Sequence, residues 1–162
     1  MLSRATKHLL SYAGLLCVLL LSQVSFAEQK KTFSSYGIDY DVHYSVVNTS
    51  FLSPEVAKAY DIVRGKNRAI LNISVRKVRP PMEQTDALDD PQRAIVSGKT
   101  SDLMRSQALE FKEIIETGAI YHIAEFSYHN EELRRFEVDI QPNPNIAPYT
   151  LVFSQKVYYE KY

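Results

Sequence analysis

The chain has 162 residues, with 19 basic and 19 acidic side chains, 11 tyrosines and one cysteine. This charge balance excludes the distinctly basic surface of a general nucleic-acid binder. The length suits one domain able to bury a core without covalent staples.

The first element is an export signal. Met1 to His8 carries Arg4 and Lys7 and no acid, an apolar run extends from Leu9 to Val24, and Ser25-Phe26-Ala27 ends in small residues before Glu28. A charged start, a short apolar middle and a small-x-small exit are the three parts of a cleavable secretory signal. Ser11, Tyr12, Ser22 and Gln23 shorten the run below the roughly 20 apolar residues of a spanning helix. Cleavage is expected near Ala27, leaving residues 28–162 as a single domain with no transmembrane anchor. Cys17 lies mid-run between Leu16 and Val18, not at the end where a lipid-accepting cysteine sits. Its removal leaves no thiol for disulfides, nucleophilic catalysis or metal ligation.

Alternation of apolar and polar residues dominates the chain beyond Glu28. Ile38, Tyr40, Val42, Tyr44 and Val46 alternate with Asp39, Asp41, His43 and Ser45, the period of a half-buried strand. Ser53-Pro54-Glu55 offers an N-cap, a proline at the first helical position and an acid near the positive helix end, predicting a helix over Pro54–Tyr60. A second strand carries Ala69, Leu71, Ile73 and Val75 on one face, and the proline-rich, acidic stretch Arg79–Gln92 reads as a loop. Five further strands are expected over Ala94–Thr100, Gln107–Glu116, Ala119–Tyr128, Leu133–Gln141 and Tyr149–Tyr159, with hairpin turns at Thr117-Gly118 and His129–Glu132. About seven short strands rich in tyrosine, valine and isoleucine predict an all-β, antiparallel two-sheet sandwich of immunoglobulin-like style, with one short helix after the first strand. A barrel is the competing closure.

Few constellations point to chemistry. Asp39, Asp41 and His43 share a strand face and are of metal-ligating type, but strand neighbours two apart stand about 7 Å from each other and rarely converge unaided. The plainer reading is a solvated face opposite a buried stripe. His122 falls in register with Ile120, Ala124 and Phe126, as a hydrogen-bonded core histidine would, and His129 lies in a turn. Gly98-Lys99-Thr100 copies the tail of a phosphate-binding loop, but Arg93 stands where that motif needs its first glycine. Neither His-Glu-x-x-His nor Gly-x-Ser-x-Gly occurs, so no catalytic residue, metal ligand or cofactor is assigned.

Charge segregation is more suggestive. Arg64, Lys66, Arg68, Arg76, Lys77 and Arg79 occur without an acid among them, and Glu83, Asp86, Asp89 and Asp90 come next. A clustered positive turn suits docking of an acidic partner; a solvated turn beside an acidic loop is the alternative.

The runs from Val42 to Leu52 and from Pro54 to Tyr60, with Lys66-Asn67-Arg68-Ala69, Ala119–Phe126 and Pro148–Lys156, resemble a family of small exported proteins of Gram-negative bacteria catalogued as a domain of unknown function. The resemblance implies a periplasmic location and brings no established activity. The stretch from Arg79 to Arg93 looks longer than the connection usual in that family, as a tolerated surface insertion would be. The expected function is a non-catalytic binding or envelope-accessory module. Its partner would be an envelope protein or anionic envelope glycan, and its surface would draw on His43, Asn48, Arg64, Lys66, Asn67 and Arg68. The alternatives are a small hydrolase or metal-dependent enzyme using His43 and the nearby aspartates, and a carrier holding an apolar ligand between its sheets.

Overall fold

The computed structural model describes residues 29–79 and 90–159, so the expected signal and most of the acidic loop lie outside the described residues. The described strands are β1 (Gln29–Ser35), β2 (Ile38–Asn48), β3 (Arg68–Lys77), β4 (Asp90–Gln92), β5 (Ile95–Ser101), β6 (Ser106–Leu109), β7 (Phe111–Glu116), β8 (Ala119–Ser127), β9 (Glu132–Gln141) and β10 (Tyr149–Val157). One sheet runs β1-β2-β3-β8-β7 with β4 also on β3, and the other runs β10-β9-β5-β6. All these pairings are antiparallel. The two sheets form a sandwich rather than a barrel.

The expected alternation builds the interior. Val42, Leu71, Ile73, Val75, Phe126, Phe136, Val138, Ile140 and Leu151 are almost fully buried between the sheets. Rings fill the middle: Phe136 stacks on Phe153 at 4.7 Å between centroids, Phe126 meets Phe136 edge-on at 5.2 Å, and Tyr44 tilts against Phe153 at 4.6 Å. Such rings combine large apolar burial with favourable mutual geometry, and they occupy the space an apolar cargo between the sheets would need.

The structure adds to the predicted strands in three places. β1 is a polar edge strand whose Lys30 and Lys31 sit on the sheet margin, so it lacks the apolar alternation that marks an interior strand. β4, at the end of the expected loop, pairs Pro91 with Arg76 on an edge, where a missing N–H is tolerated. The expected strand Gln107–Glu116 is really two. Its first part pairs with β5, its second with β8, and the chain changes sheets at Glu110. The opposite flank is closed by Phe33 stacked on Tyr149 at 4.4 Å.

The helix α1 (Pro54–Ala59) forms as its caps predict: the Val56 N–H donates to Ser53 Oγ, and proline opens the first turn. The basic end of β3 meets the acid after the loop, with Arg79 donating to Asp90 at 2.5 Å, so part of the charge segregation is internal pairing.

Gly98 has a packing role, not a phosphate-binding one. A Cβ there would lie 2.6 Å from the Glu137 carbonyl oxygen and 3.0 Å from Val138 Cα, both backbone atoms of β9. Gly98→Ala is therefore expected to force β5 and β9 apart and to lower unfolding free energy by about 1–3 kcal/mol in urea titration.

Candidate functional site

The residues expected to form a binding surface divide into two groups. His43 lies mid-β2, opposite Lys30 and Ser74, on the outer face of its sheet. Asn48 ends the same strand opposite Ala69, five residues or about 17 Å further along. The structure brings Asn48 together with Arg64, Lys66, Asn67 and Arg68, and leaves His43 apart.

The Asn48 group is held by a dense set of hydrogen bonds. The fully buried Thr49 hydroxyl accepts from the Gly65 N–H at 3.0 Å and lies within donating distance of the Gly65 and Arg68 carbonyls. The Tyr128 hydroxyl has one proton and three acceptor oxygens within 3.1 Å: Asn48 Oδ1 and the carbonyls of Lys66 and Tyr158. The Asn48 amide also donates to the Tyr158 carbonyl at 3.0 Å, and the Tyr128 N–H donates to the Asn67 carbonyl at 3.0 Å. Tyr128 thus ties the turn to the sandwich through the Lys66 and Asn67 carbonyls.

The basic side chains of the turn are engaged to different degrees. Arg64 donates to the Ser50 carbonyl at 3.0 Å, and the Lys66 ammonium stands 5.9 Å from the Tyr159 ring centroid. Arg68 is neutralised by Glu125 at 3.0 Å, and the same Glu125 oxygen accepts from the Val63 N–H.

Glu125 links this turn to a groove of about 400 Å³ on the outer face of the same sheet. Ile62, Phe111, Ile114 and Ile123 supply its apolar surface, and Gln107, Glu110, Lys112 and Glu125 its polar surface. The walls are fastened to each other across the groove. Tyr60, the cap of α1, donates its hydroxyl to Glu116, which pushes the Tyr60 pKa up to about 12. Lys112 donates to the Asp61 carbonyl at 3.1 Å. These residues escaped sequence reasoning because the groove depends on the sheet change at Glu110. Leu109-Glu110-Phe111 keeps the apolar–polar alternation of one continuous strand, so the pattern carries no signal of the change.

The aspartates beside His43 are occupied. Asp41 is not solvated, as its strand face had suggested, but only 5% exposed, because β1 covers it. Burial alone would raise its pKa, yet hydrogen bonds from Lys30 at 2.8 Å and Thr32 at 2.5 Å outweigh that and hold it below the ordinary value. Asp39 accepts from Ser34. Among the described residues no three His, Cys, Asp or Glu side chains converge as a metal ion requires.

His122 is in the core as expected, but neither ring nitrogen makes a well-formed hydrogen bond among the described residues. It sits where β3 passes from pairing with β8 to pairing with β4. Glu113 lies 3.6 Å from its Nε2 and is itself clamped by Arg93. His129, in its turn, is exposed.

Tyr128→Phe should cost about 1–3 kcal/mol by leaving buried acceptors unpaired, and hydrogen exchange should quicken at the Arg68 amide. Burial pushes the His122 pKa below 6.5, against the opposing pull of Glu113 and of the nearby Ala94 and Ile73 backbone. The unfolded state then binds more protons, so His122 contributes stability above pH 6.5 that is lost as the pH falls towards the depressed value. Lowering the pH from about 7.5 to about 5.5 should reduce the urea midpoint more in the natural protein than in His122→Gln.

Known proteins share this architecture. A crystal structure of a DUF4426 family protein from Pseudomonas aeruginosa PAO1 matches with 28% identity and TM-score 0.64, covering 82% of this chain and 97% of that one. FetP of uropathogenic Escherichia coli strain F11, expressed in the periplasm of E. coli, matches at 9% identity and TM-score 0.56, covering 84% and 99%. A copper-bound FetP variant matches at 10% identity and TM-score 0.55, covering 83% and 97%. The FetP likenesses show a shared fold. No curated protein matches the chain. The family model described as domain of unknown function DUF4426 matches residues 35–160, and the chain belongs to that family.

Proposed function

We propose that the protein is a non-catalytic binding module of the bacterial envelope, exported by a signal removed near Ala27. Its working surface is the groove between the end of α1 and the β6–β7 crossing, together with the Arg64–Arg68 turn. The observation that carries this reading is a groove already open and braced across its walls by the Tyr60–Glu116 and Lys112–Asp61 contacts. Ligand sites are commonly concave, mostly apolar and pre-formed, with a few polar groups fixing orientation. Apolar side chains of a protein segment suit Ile62, Phe111 and Ile123, while Lys112, Glu125 and Arg64 suit its polar groups. The partner is therefore read as an envelope protein, with a glycan less suited to the apolar lining.

The bound copper is that of the FetP variant; among the described residues of this chain no three His, Cys, Asp or Glu side chains converge to hold a metal ion. Asp39 and Asp41 are engaged by Ser34, Lys30 and Thr32, and the described histidines lie on different elements. No metal enters the proposed function.

The test is photocrosslinking in intact cells, with the photoreactive residue at Ala108 on the groove wall or at Tyr36 in the β1–β2 turn. A discrete adduct from Ala108 and none from Tyr36 is the expected result. No adduct from Ala108, or the same adduct from both positions, contradicts the reading. In the same cells, N-terminal sequencing of the purified protein should begin at Glu28.

A further inference from the structure

The four-residue turn between β5 and β6, Asp102–Arg105, points two apolar side chains into solvent. Leu103 is 99% exposed and Met104 89%, more than any other large hydrophobic residue among those described. Turn tips ordinarily carry Gly, Asn, Asp, Ser or Pro, each for a local backbone reason. Neither the Leu103 nor the Met104 side chain serves the turn or the core.

The turn is nevertheless built to stay in place. Asp102 Oδ1 accepts from the N–H groups of Met104 and Arg105, both at 2.6 Å, and the Asp102 N–H donates to the Arg105 carbonyl at 3.0 Å. Asp102 is held in turn by Arg134, whose side chain is 5% exposed. Arg134 also donates to Thr100 at 3.2 Å and to Glu132 at 3.3 Å, with its guanidinium carbon 5.9 Å from the Phe126 ring centroid. A buried arginine shared by two carboxylates is a costly device, and here it fixes the base of the exposed tip.

The charge around the tip leans positive. At this end of the sandwich Arg134 engages Asp102 and Glu132, Lys156 engages Glu131, and Lys99 engages Glu137. Arg105 in the turn and Arg135, which pairs with Ser101 at its base, have no carboxylate within ion-pair distance among the described residues. Arg134 with its two carboxylates leaves one negative charge, and Arg105 and Arg135 add two positive ones, so the residues around the apolar tip carry a net positive charge of one.

We propose that the Leu103–Met104 tip is a membrane-contact point that inserts shallowly into an anionic lipid bilayer while Arg105 and Arg135 meet its phosphate groups. Apolar insertion and attraction of cations to anionic headgroups are the two components of peripheral membrane binding. A protruding tip with two unsupported apolar side chains suits a yielding lipid surface, which needs no matching cavity. The tip acts independently of the groove.

The test is flotation of the purified protein with vesicles of phosphatidylcholine alone or mixed with phosphatidylglycerol. The variants are Leu103→Ser with Met104→Ser, and Arg105→Gln with Arg135→Gln. All four positions lie outside the core, and any N-terminal apolar residues retained are common to every protein compared, so differences report on the tip. The natural protein should float with the anionic vesicles and not with phosphatidylcholine alone. Binding should fall about tenfold or more in the apolar variant and about fivefold for each arginine removed. Failure to float with anionic vesicles, equal flotation with both kinds, or full binding by the apolar variant overturns the proposal. Self-association that depends on the tip, without vesicle binding, also overturns it and assigns the tip to a second copy of the chain.

Discussion

One length of chain, residues 106–116, belongs to both sheets, and the rest of the architecture is arranged around that fact. Leu109 pairs with Gly98 in one sheet and Phe111 pairs with Ala124 in the other, with only Glu110 between them. The crossing closes one flank of the sandwich covalently, while Phe33 on Tyr149 closes the other by stacking. It also sets Gln107, Glu110, Phe111 and Lys112 side by side as one wall of the groove. The close approach of β5 to β9 at Gly98, the buried Arg134 and the β5–β6 turn all lie on the sheet that this strand joins.

Fixing surface features to such a frame takes polar groups inward. Thr49 and Tyr128 satisfy carbonyl and N–H groups of the Gly65–Arg68 turn, and Arg134 does comparable work for Asp102. A buried polar group without a partner costs more than a satisfied one returns, so these networks hold one arrangement against looser ones. Loops carried on a rigid sheet are the usual location of binding residues. The basic turn fits that pattern by its fastening as well as by its charge.

Much of this was legible in the sequence. The alternation at Ile38–Val46 and Ala119–Phe126, and the cap at Ser53-Pro54, each dictate a local structure that no tertiary contact overrides. β1 was not legible because an edge strand needs backbone pairing and little apolar surface, and Phe33 alone does not make a pattern. The sheet change at Glu110 was hidden for a different reason. Alternation continues through Leu109-Glu110-Phe111, and only the pairing partners differ, which is information the one-dimensional pattern does not contain. The site divided along the same line. Asn48 and the Arg64–Arg68 turn are close in sequence to the helix and lie near one another in the fold. His43 was grouped with them by sequence proximity and stands apart on its strand, and the groove needed partners more than forty residues distant.

A fold shared with FetP does not fix function, so the functional reading rests on this chain's own surface. Its central claim is that the groove face is covered in the cell while the opposite end of the sandwich is free. Hydroxyl-radical footprinting, comparing the protein in intact cells with the purified protein, tests this directly. Labelling of Tyr60, Ile62 and Phe111 is predicted to fall in cells, while Tyr36, 84% exposed in the β1–β2 turn, is labelled equally in both. Unchanged labelling of the groove residues, or protection confined to Tyr36, would contradict it.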